Sequence, residues 1–202
     1  MSIRGTRSVV VAVAMGLLAG CASSPPVQFY TLSAEAPASS VATAGKDLRI
    51  DVGPVSLPEM VDRPQFVIRS GQNRVTMVDE HRWAESLASD VPRVLAENLS
   101  RLLTTDHVWA YPQHAAGAVD YRVLVDIQRF ESTPGQRAVI EALWTVQRPS
   151  QDGGPSKTGR SSLQQPVAGQ GYEALAAAHS RALAEISREI AEVIRSFTPS
   201  TP

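Results

Sequence analysis

The sequence predicts an α+β domain, a mainly antiparallel sheet with two amphipathic helices packed on one face. Three patterns predict it. Apolar and polar residues alternate through Leu48–Val52, Tyr121–Gln128 and Ala138–Val146, the period of half-buried strands. Two other segments, from near Arg82 and from Tyr172, place apolar residues three and four apart, the stripe of a surface helix. Their order, strands then helix twice over, suits a sheet with its helices gathered on one side.

Taken in order, the chain opens with Arg4 and Arg7, an apolar run over Val9–Ala19, and then Leu18-Ala19-Gly20-Cys21. A basic start, a short apolar stretch and small residues before a cut are the parts of an export signal. The run is shorter than the roughly 20 apolar residues that cross a bilayer. Its end resembles the lipobox of bacterial lipoproteins. That resemblance implies cleavage before Cys21, a diacylglycerol on its sulfur and a third acyl chain on its new amino group. Residues 1–20 are then a cleaved signal, 21–26 a lipidated tether, 27–197 the domain and 198–202 a tail. Cys21 is the only cysteine. Once acylated it leaves no thiol for a disulfide, a metal site or a nucleophile. Two or more chains anchor stably where one holds weakly. Ala22 and Ser23 include no aspartate, and by the lipoprotein sorting pattern this implies the outer membrane, facing the periplasm.

Removing the signal leaves about 180 residues, enough for one domain with a core. Val27–Leu32 reads as a strand because it is aromatic and β-branched, and Glu35–Lys46 reads as a loop of Ala, Ser, Pro and Gly. Leu48–Val52 is a strand, and Gly53–Pro64 a loop with three prolines and the apolar Val55, Leu57, Met60 and Val61. Phe66–Ile68 and Arg74–Val78 flank Gly71-Gln72-Asn73 as a hairpin. A helix is expected from near Arg82, with Trp83, Leu87, Val91, Val94, Leu95 and Leu102 on one stripe. Pro92 either kinks that helix or sits in the first turn of a second one capped by Asp90; one kinked helix is the favoured reading.

His107–Ala110 is a further strand, and Tyr121–Gln128 with Ala138–Val146 form a hairpin about Pro134-Gly135. Pro149–Gly159 reads as a loop and Ser161–Val167 as an edge strand. The last helix carries Tyr172, Leu175, His179, Ala182, Leu183, Ile186, Ile190, Val193, Ile194 and Phe197 on one face. Opposite charges at Glu185–Arg188, Arg188–Glu192 and Glu192–Arg195 line the other, each pair worth about 0.2–0.5 kcal/mol.

Nineteen Lys and Arg against twenty Asp and Glu give no field to steer nucleic acid. No Gly-x-Ser-x-Gly elbow, phosphate-cradling loop or paired histidines on a helix face is present, so no enzyme, cofactor or metal is expected. His179, within an apolar stripe, reads as a packed structural histidine ahead of a contact or pH-sensitive group. Asp62-Arg63-Pro64 is either an ordinary turn or a rigid charged corner that docks a partner. Met60 and Val61 form an exposed lip or fold back, and Trp83 packs or anchors an interface.

Val52–Pro58, Val61–Gln65, His81–Glu85 and Arg93–Leu99, with Phe29-Tyr30-Thr31-Leu32 ahead of them, resemble the PqiC-like lipoproteins. In that family an aromatic and Leu precede the Asp-Arg-Pro, where this chain has Met60-Val61. The resemblance implies a non-catalytic accessory subunit of an MCE-containing, ABC-type system carrying lipid between the membranes. It implies an outer-membrane docking platform or exit port, an MCE-domain partner and a homo-oligomeric ring. Leu57, Met60, Val61, Asp62, Arg63, Arg82 and Trp83 are the candidate partner contacts. The alternative is a structural or assembly lipoprotein of the envelope without a transport partner.

Overall fold

The computed structural model describes residues 25–38, 47–113, 117–150 and 154–197. Among these residues eight strands form one sheet: β1 (Gln28–Tyr30), β2 (Ile50–Ser56), β3 (Gln65–Gly71), β4 (Arg74–Trp83), β5 (Val108–Ala110), β6 (Tyr121–Thr133), β7 (Arg137–Gln147) and β8 (Ser156–Pro166). Two helices, α1 (Leu87–Leu103) and α2 (Tyr172–Phe197), pack on the sheet and on each other. The α+β class is as predicted.

The sheet is mixed rather than purely antiparallel. Its long pairings, β3 with β4, β6 with β7 and β7 with β8, are antiparallel. The shorter ones, β1 with β4, β2 with β5, and β6 with both β2 and β3, are parallel. Because β7 occupies one edge of β6, β2 and β3 must share the other. They do so in series: β2 pairs with Tyr121–Asp126 and β3 joins at Ser132. The segment between them, Leu57–Pro64, is thereby pushed off the sheet.

Several element boundaries differ from those expected. Strand β2 runs on to Ser56 through Gly53 and a cis peptide at Pro54. Gly53 has φ 119°, and a Cβ there would lie 2.5 Å from that of Tyr111, so only glycine fits this shift of register. Strand β8 already starts at Ser156, because Gly159 is a strand residue lying under the Trp144 ring rather than a loop residue. The helix expected from Arg82 starts at Leu87 instead. Trp83 ends β4, paired with Tyr30 and donating its N–H to the Pro64 carbonyl at 2.7 Å. Its spacing of four from Leu87 is compatible with a helix, but these pairings hold it in the strand.

Pro92 lies inside one continuous helix, and Asp90 caps no second one. Ser86 occupies the N-cap without a side-chain bond, while the buried Asp90 carboxylate serves the N-terminal segment. It accepts from the Leu32 N–H at 2.8 Å and from the Thr31 hydroxyl at 3.2 Å, and pairs with Arg93. Strand β1 is accordingly shorter than the expected Val27–Leu32. Beyond Tyr30 the chain leaves the sheet and crosses the helices as a strap. Without a strand neighbour, its backbone is satisfied by helix side chains. Ser33 N–H donates to Ser180 Oγ at 3.0 Å, Ala36 N–H to Asn98 Oδ1 at 2.9 Å, and Arg101 donates to the Ala34 carbonyl at 2.7 Å.

The core lies between sheet and helices. From α1 it takes Leu87, Val91, Val94, Leu95 and Leu99, and from α2 Leu175, Ala182, Leu183, Ile186 and Ile190. Each large aliphatic chain so buried contributes about 1.5–3 kcal/mol. At one end aromatic rings dominate: Trp83 stacks on Phe66 at 4.1 Å, and Phe130 stacks on His179 at 3.8 Å. His179 is fully buried and shares a 2.8 Å hydrogen bond between Nε2 and Ser132 Oγ, as a packed histidine should. Burial pushes its pKa down to about 3.

Two outcomes follow from this packing. An unfolded histidine titrates near 6.5, so the neutral His179 contributes fully above that pH, and its contribution is lost as pH falls from 6.5 toward 3. Denaturant titrations should therefore show a loss of up to about 2 kcal/mol between pH 6.5 and 5, at about 1.4 kcal/mol per unit, which His179→Gln removes. Asp90→Ala leaves the buried Leu32 N–H unsatisfied and should cost about 2 kcal/mol. Limited proteolysis of that variant should cut first within residues 31–38.

Candidate contact surface

The loop Leu57–Pro64 is a compact turn rather than a flexible link. Val61 and Asp62 N–H groups both donate to the Pro58 carbonyl, at 3.0 and 3.3 Å, and Arg63 N–H donates to that of Val61 at 2.9 Å. Val61 is buried and pins the turn to the core, which Leu57 also touches. Met60 points outward and is 39% exposed.

Asp62 and Arg63 go to different partners rather than to each other. Asp62 Oδ1 accepts from the Ala88 N–H at 3.3 Å, where the first turn of α1 favours a negative charge. Arg63 Nη1 donates to the Met77 sulfur at 3.0 Å, and its Nε is buried with no hydrogen-bond partner among the described residues. A half-buried guanidinium resting on Met77 thus sits at the tip of a rigid loop. Such a group can accept a carboxylate set among apolar side chains.

The seven predicted contact residues divide by burial. Met60 and Asp62 are exposed; Leu57, Arg63 and Arg82 are half-buried. Val61 and Trp83 lie in the core, so they support the loop from below and offer no surface of their own. Trp83 joins the two regions: its N–H holds the end of the loop, and its neighbour Arg82 lies beside β1. Cys21, the predicted lipidation site, lies outside the described residues, as does His114. Among the described residues no group of three or more His, Cys, Asp or Glu is placed to hold a metal.

A charge ladder on the helix-free face went unseen in the sequence. It crosses four strands, from Arg69 on β3 to Glu131 and Arg129 on β6, Glu141 on β7 and Arg160 on β8. Arg129 bridges Glu131 at 2.7 Å and Glu141 at 3.0 Å, and these bonds raise its pKa. Burial pushes the Glu131 carboxyl upward, but hydrogen bonds from Arg129 and Arg69 outweigh this and hold it below its ordinary value. Arg129, followed by Arg160, lowers that of Glu141. Met60, Val75 and Met77 are exposed beyond the Arg69 end, and Leu143 is exposed on β7. The one sequence signal was an Arg and a Glu two apart on a strand; the rest needs the register of β6 against β3 and β7.

A groove of about 450 Å³ lies between the strap and the start of α2, lined in part by Tyr30, Ser33, Glu35, Glu173 and Ser180. Phe29 also lines it and is 63% exposed, and Val27, two residues earlier, is 41% exposed.

Two comparisons place this architecture. The chain shares its fold with the crystal structure of an uncharacterized protein, at 18% identity and a TM-score of 0.67, covering 84% of this chain and 99% of that one. It is similarly related to protein XCC0632 from Xanthomonas campestris, a DUF330 protein, at 17% identity and a TM-score of 0.63, covering 84% and 97%. None of the curated proteins compared matches the sequence. The family model for the ABC-type transport auxiliary lipoprotein component matches residues 30–191, which takes in β1 from Tyr30, the contact loop, the charge ladder and most of α2. The chain belongs to this family of auxiliary lipoprotein components of ABC-type transport systems.

Proposed function

We propose that the protein is a non-catalytic accessory subunit of an MCE-containing, ABC-type intermembrane lipid transport system. In this reading residues 1–20 are removed and acylated Cys21 holds the domain on the periplasmic face of the outer membrane. Residues 21–26 are the tether, and ATP is hydrolysed by another subunit. The family match over residues 30–191 carries the reading. The lipobox-like Leu18-Ala19-Gly20-Cys21 supports the anchor. The rigid tip formed by Met60, Asp62 and Arg63, with Leu57 and Val61 beneath it, is the proposed contact with the MCE-domain partner. The protein works there as a homo-oligomer.

Affinity recovery of the acylated protein from detergent-solubilised membranes should bring down an MCE-type protein. Asp62→Ala/Arg63→Ala should reduce that recovery at least about tenfold, the effect of losing about 1.4 kcal/mol of binding. Circular dichroism would confirm that the variant is folded. Recovery of nothing but the protein itself would remove the transport reading.

The anchor has its own check. Cys21→Ala should move the protein from the membrane to the soluble periplasmic fraction, and retention on the membrane with function intact would contradict it.

A further inference from the structure

We infer that Val27 and Phe29, with Arg82 beside them, form a membrane-contact surface that seats the domain on the lipid headgroup layer. The inference rests on the proposed acylation of Cys21 and adds a second, non-covalent contact. Strand β1 is three residues long, and its outer edge lies at the end of the sheet. Its two faces differ. Tyr30 donates from its hydroxyl to Gln28 Oε1 at 2.8 Å and meets His81 Nδ1 at 2.7 Å, on the side where His81 stacks against Tyr172 of α2. By the two-residue period of a strand, Phe29 faces the other way.

On that side Phe29 stands in register with Arg82 of β4. Phe29 is 63% exposed, more than any other large hydrophobic residue described, and Val27 is 41% exposed. Arg82 uses its Nε on the Asp79 carbonyl at 2.9 Å, and no described carboxylate pairs with it. An exposed ring beside a guanidinium that pairs with no described carboxylate suits a bilayer interface. The ring enters the headgroup boundary while the cation meets lipid phosphate.

The length of chain leading to this edge selects the occupant. Six residue steps separate Cys21 from Val27, a reach of about 20 Å when fully extended. Pro25 and Pro26 stiffen the last of them. Once Cys21 is acylated, β1 is the first described strand that follows the lipid in the chain. A strand tethered this closely meets the headgroup layer before any other exposed apolar residue of the domain.

The test uses the acylated full-length protein in vesicles of phosphatidylethanolamine and phosphatidylglycerol. Acylation occupies Cys21, so Phe29→Cys supplies a single thiol for an environment-sensitive fluorophore. Met77→Cys, at an exposed position on β4, is the comparison site. Flotation first reports whether the protein is anchored. The label at position 29 should then shift to the blue and lose most of its intensity to spin-labelled lipid, while that at position 77 should do neither. Adding Arg82→Gln should reduce the quenching at position 29. A floating protein whose label at 29 stays water-like would overturn the contact and leave the anchor standing. A label at 29 shielded only after an MCE-type protein is added would assign the surface to a protein instead. Failure to float would remove the anchor and this inference together.

Discussion

Phe130 and His179 lie 3.8 Å apart and nearly parallel, and much of the fold is ordered around that contact. Phe130 belongs to β6 and His179 to α2, so the stack fixes the helix over the strand at the centre of the sheet. Trp83 meets the edge of Phe130, Phe66 stacks on Trp83, and Tyr30 meets the edge of Phe66. Strands β1, β3, β4 and β6 are thereby registered under one helix. A charged imidazolium has no place in this position. Its ring is fully buried, one nitrogen is hydrogen-bonded to Ser132, and Nδ1 has no partner among the described residues. A buried polar atom left without a partner costs about 1–3 kcal/mol, and a buried charge far more. The packing therefore holds the ring neutral.

Strand β6 imposes the second constraint. Thirteen residues long, it offers one continuous edge that two seven-residue strands occupy in turn. The chain between them cannot lie in the sheet, and it is too short to wander. It closes into the Pro58–Arg63 turn, with Val61 driven inward and Met60 outward. The stiffness of the proposed contact thus follows from sheet topology, and the prolines adapt to it. The charge ladder covers the same strands on the opposite side from the helices. Its members are partly exposed, so each pair contributes little alone, about 0–1 kcal/mol. Linked across four strands, they give the open face a fixed pattern of charge and leave apolar residues free at its ends.

Elements with a strong local signal were legible in the sequence: α2 and the β6–β7 hairpin lie where the helical stripe and alternation put them, and the β3–β4 hairpin turns at its Gly-containing loop. The misreadings share one cause, a local signal overruled by a distant partner. Trp83 fits a helix by spacing, yet Tyr30 and Pro64 hold it in a strand. Gly53-Pro54 and Gly159 have the composition of loops, yet Tyr111 and Trp144 need those positions bare inside strands. Asp90 looks like a cap and instead holds Leu32, 58 residues away. Of the candidate site, Met60, Asp62 and Arg63 were found from a loop motif and a family likeness. The ladder was not, since its residues become neighbours only through strand register.

The strap explains how a force on the N-terminus would enter the domain. A domain whose N-terminal segment were held only by β1 would hang on a three-residue strand. Here the next six residues are fastened by side chains of both helices: Asp90, Arg93, Asn98 and Arg101 from α1, and Ser180 from α2. Asp90 and Asn98 are buried, so their bonds compete poorly with water and persist. The same strand bears on the contact loop, because Ala84 donates to Tyr30 at 2.7 Å and Trp83 donates to Pro64 at 2.7 Å. One residue step at the end of β4 therefore separates the element behind the proposed anchor from the element proposed to meet the partner. With both fastened to the end of β4, the height and tilt of the loop above a membrane would follow from how β1 sits on it.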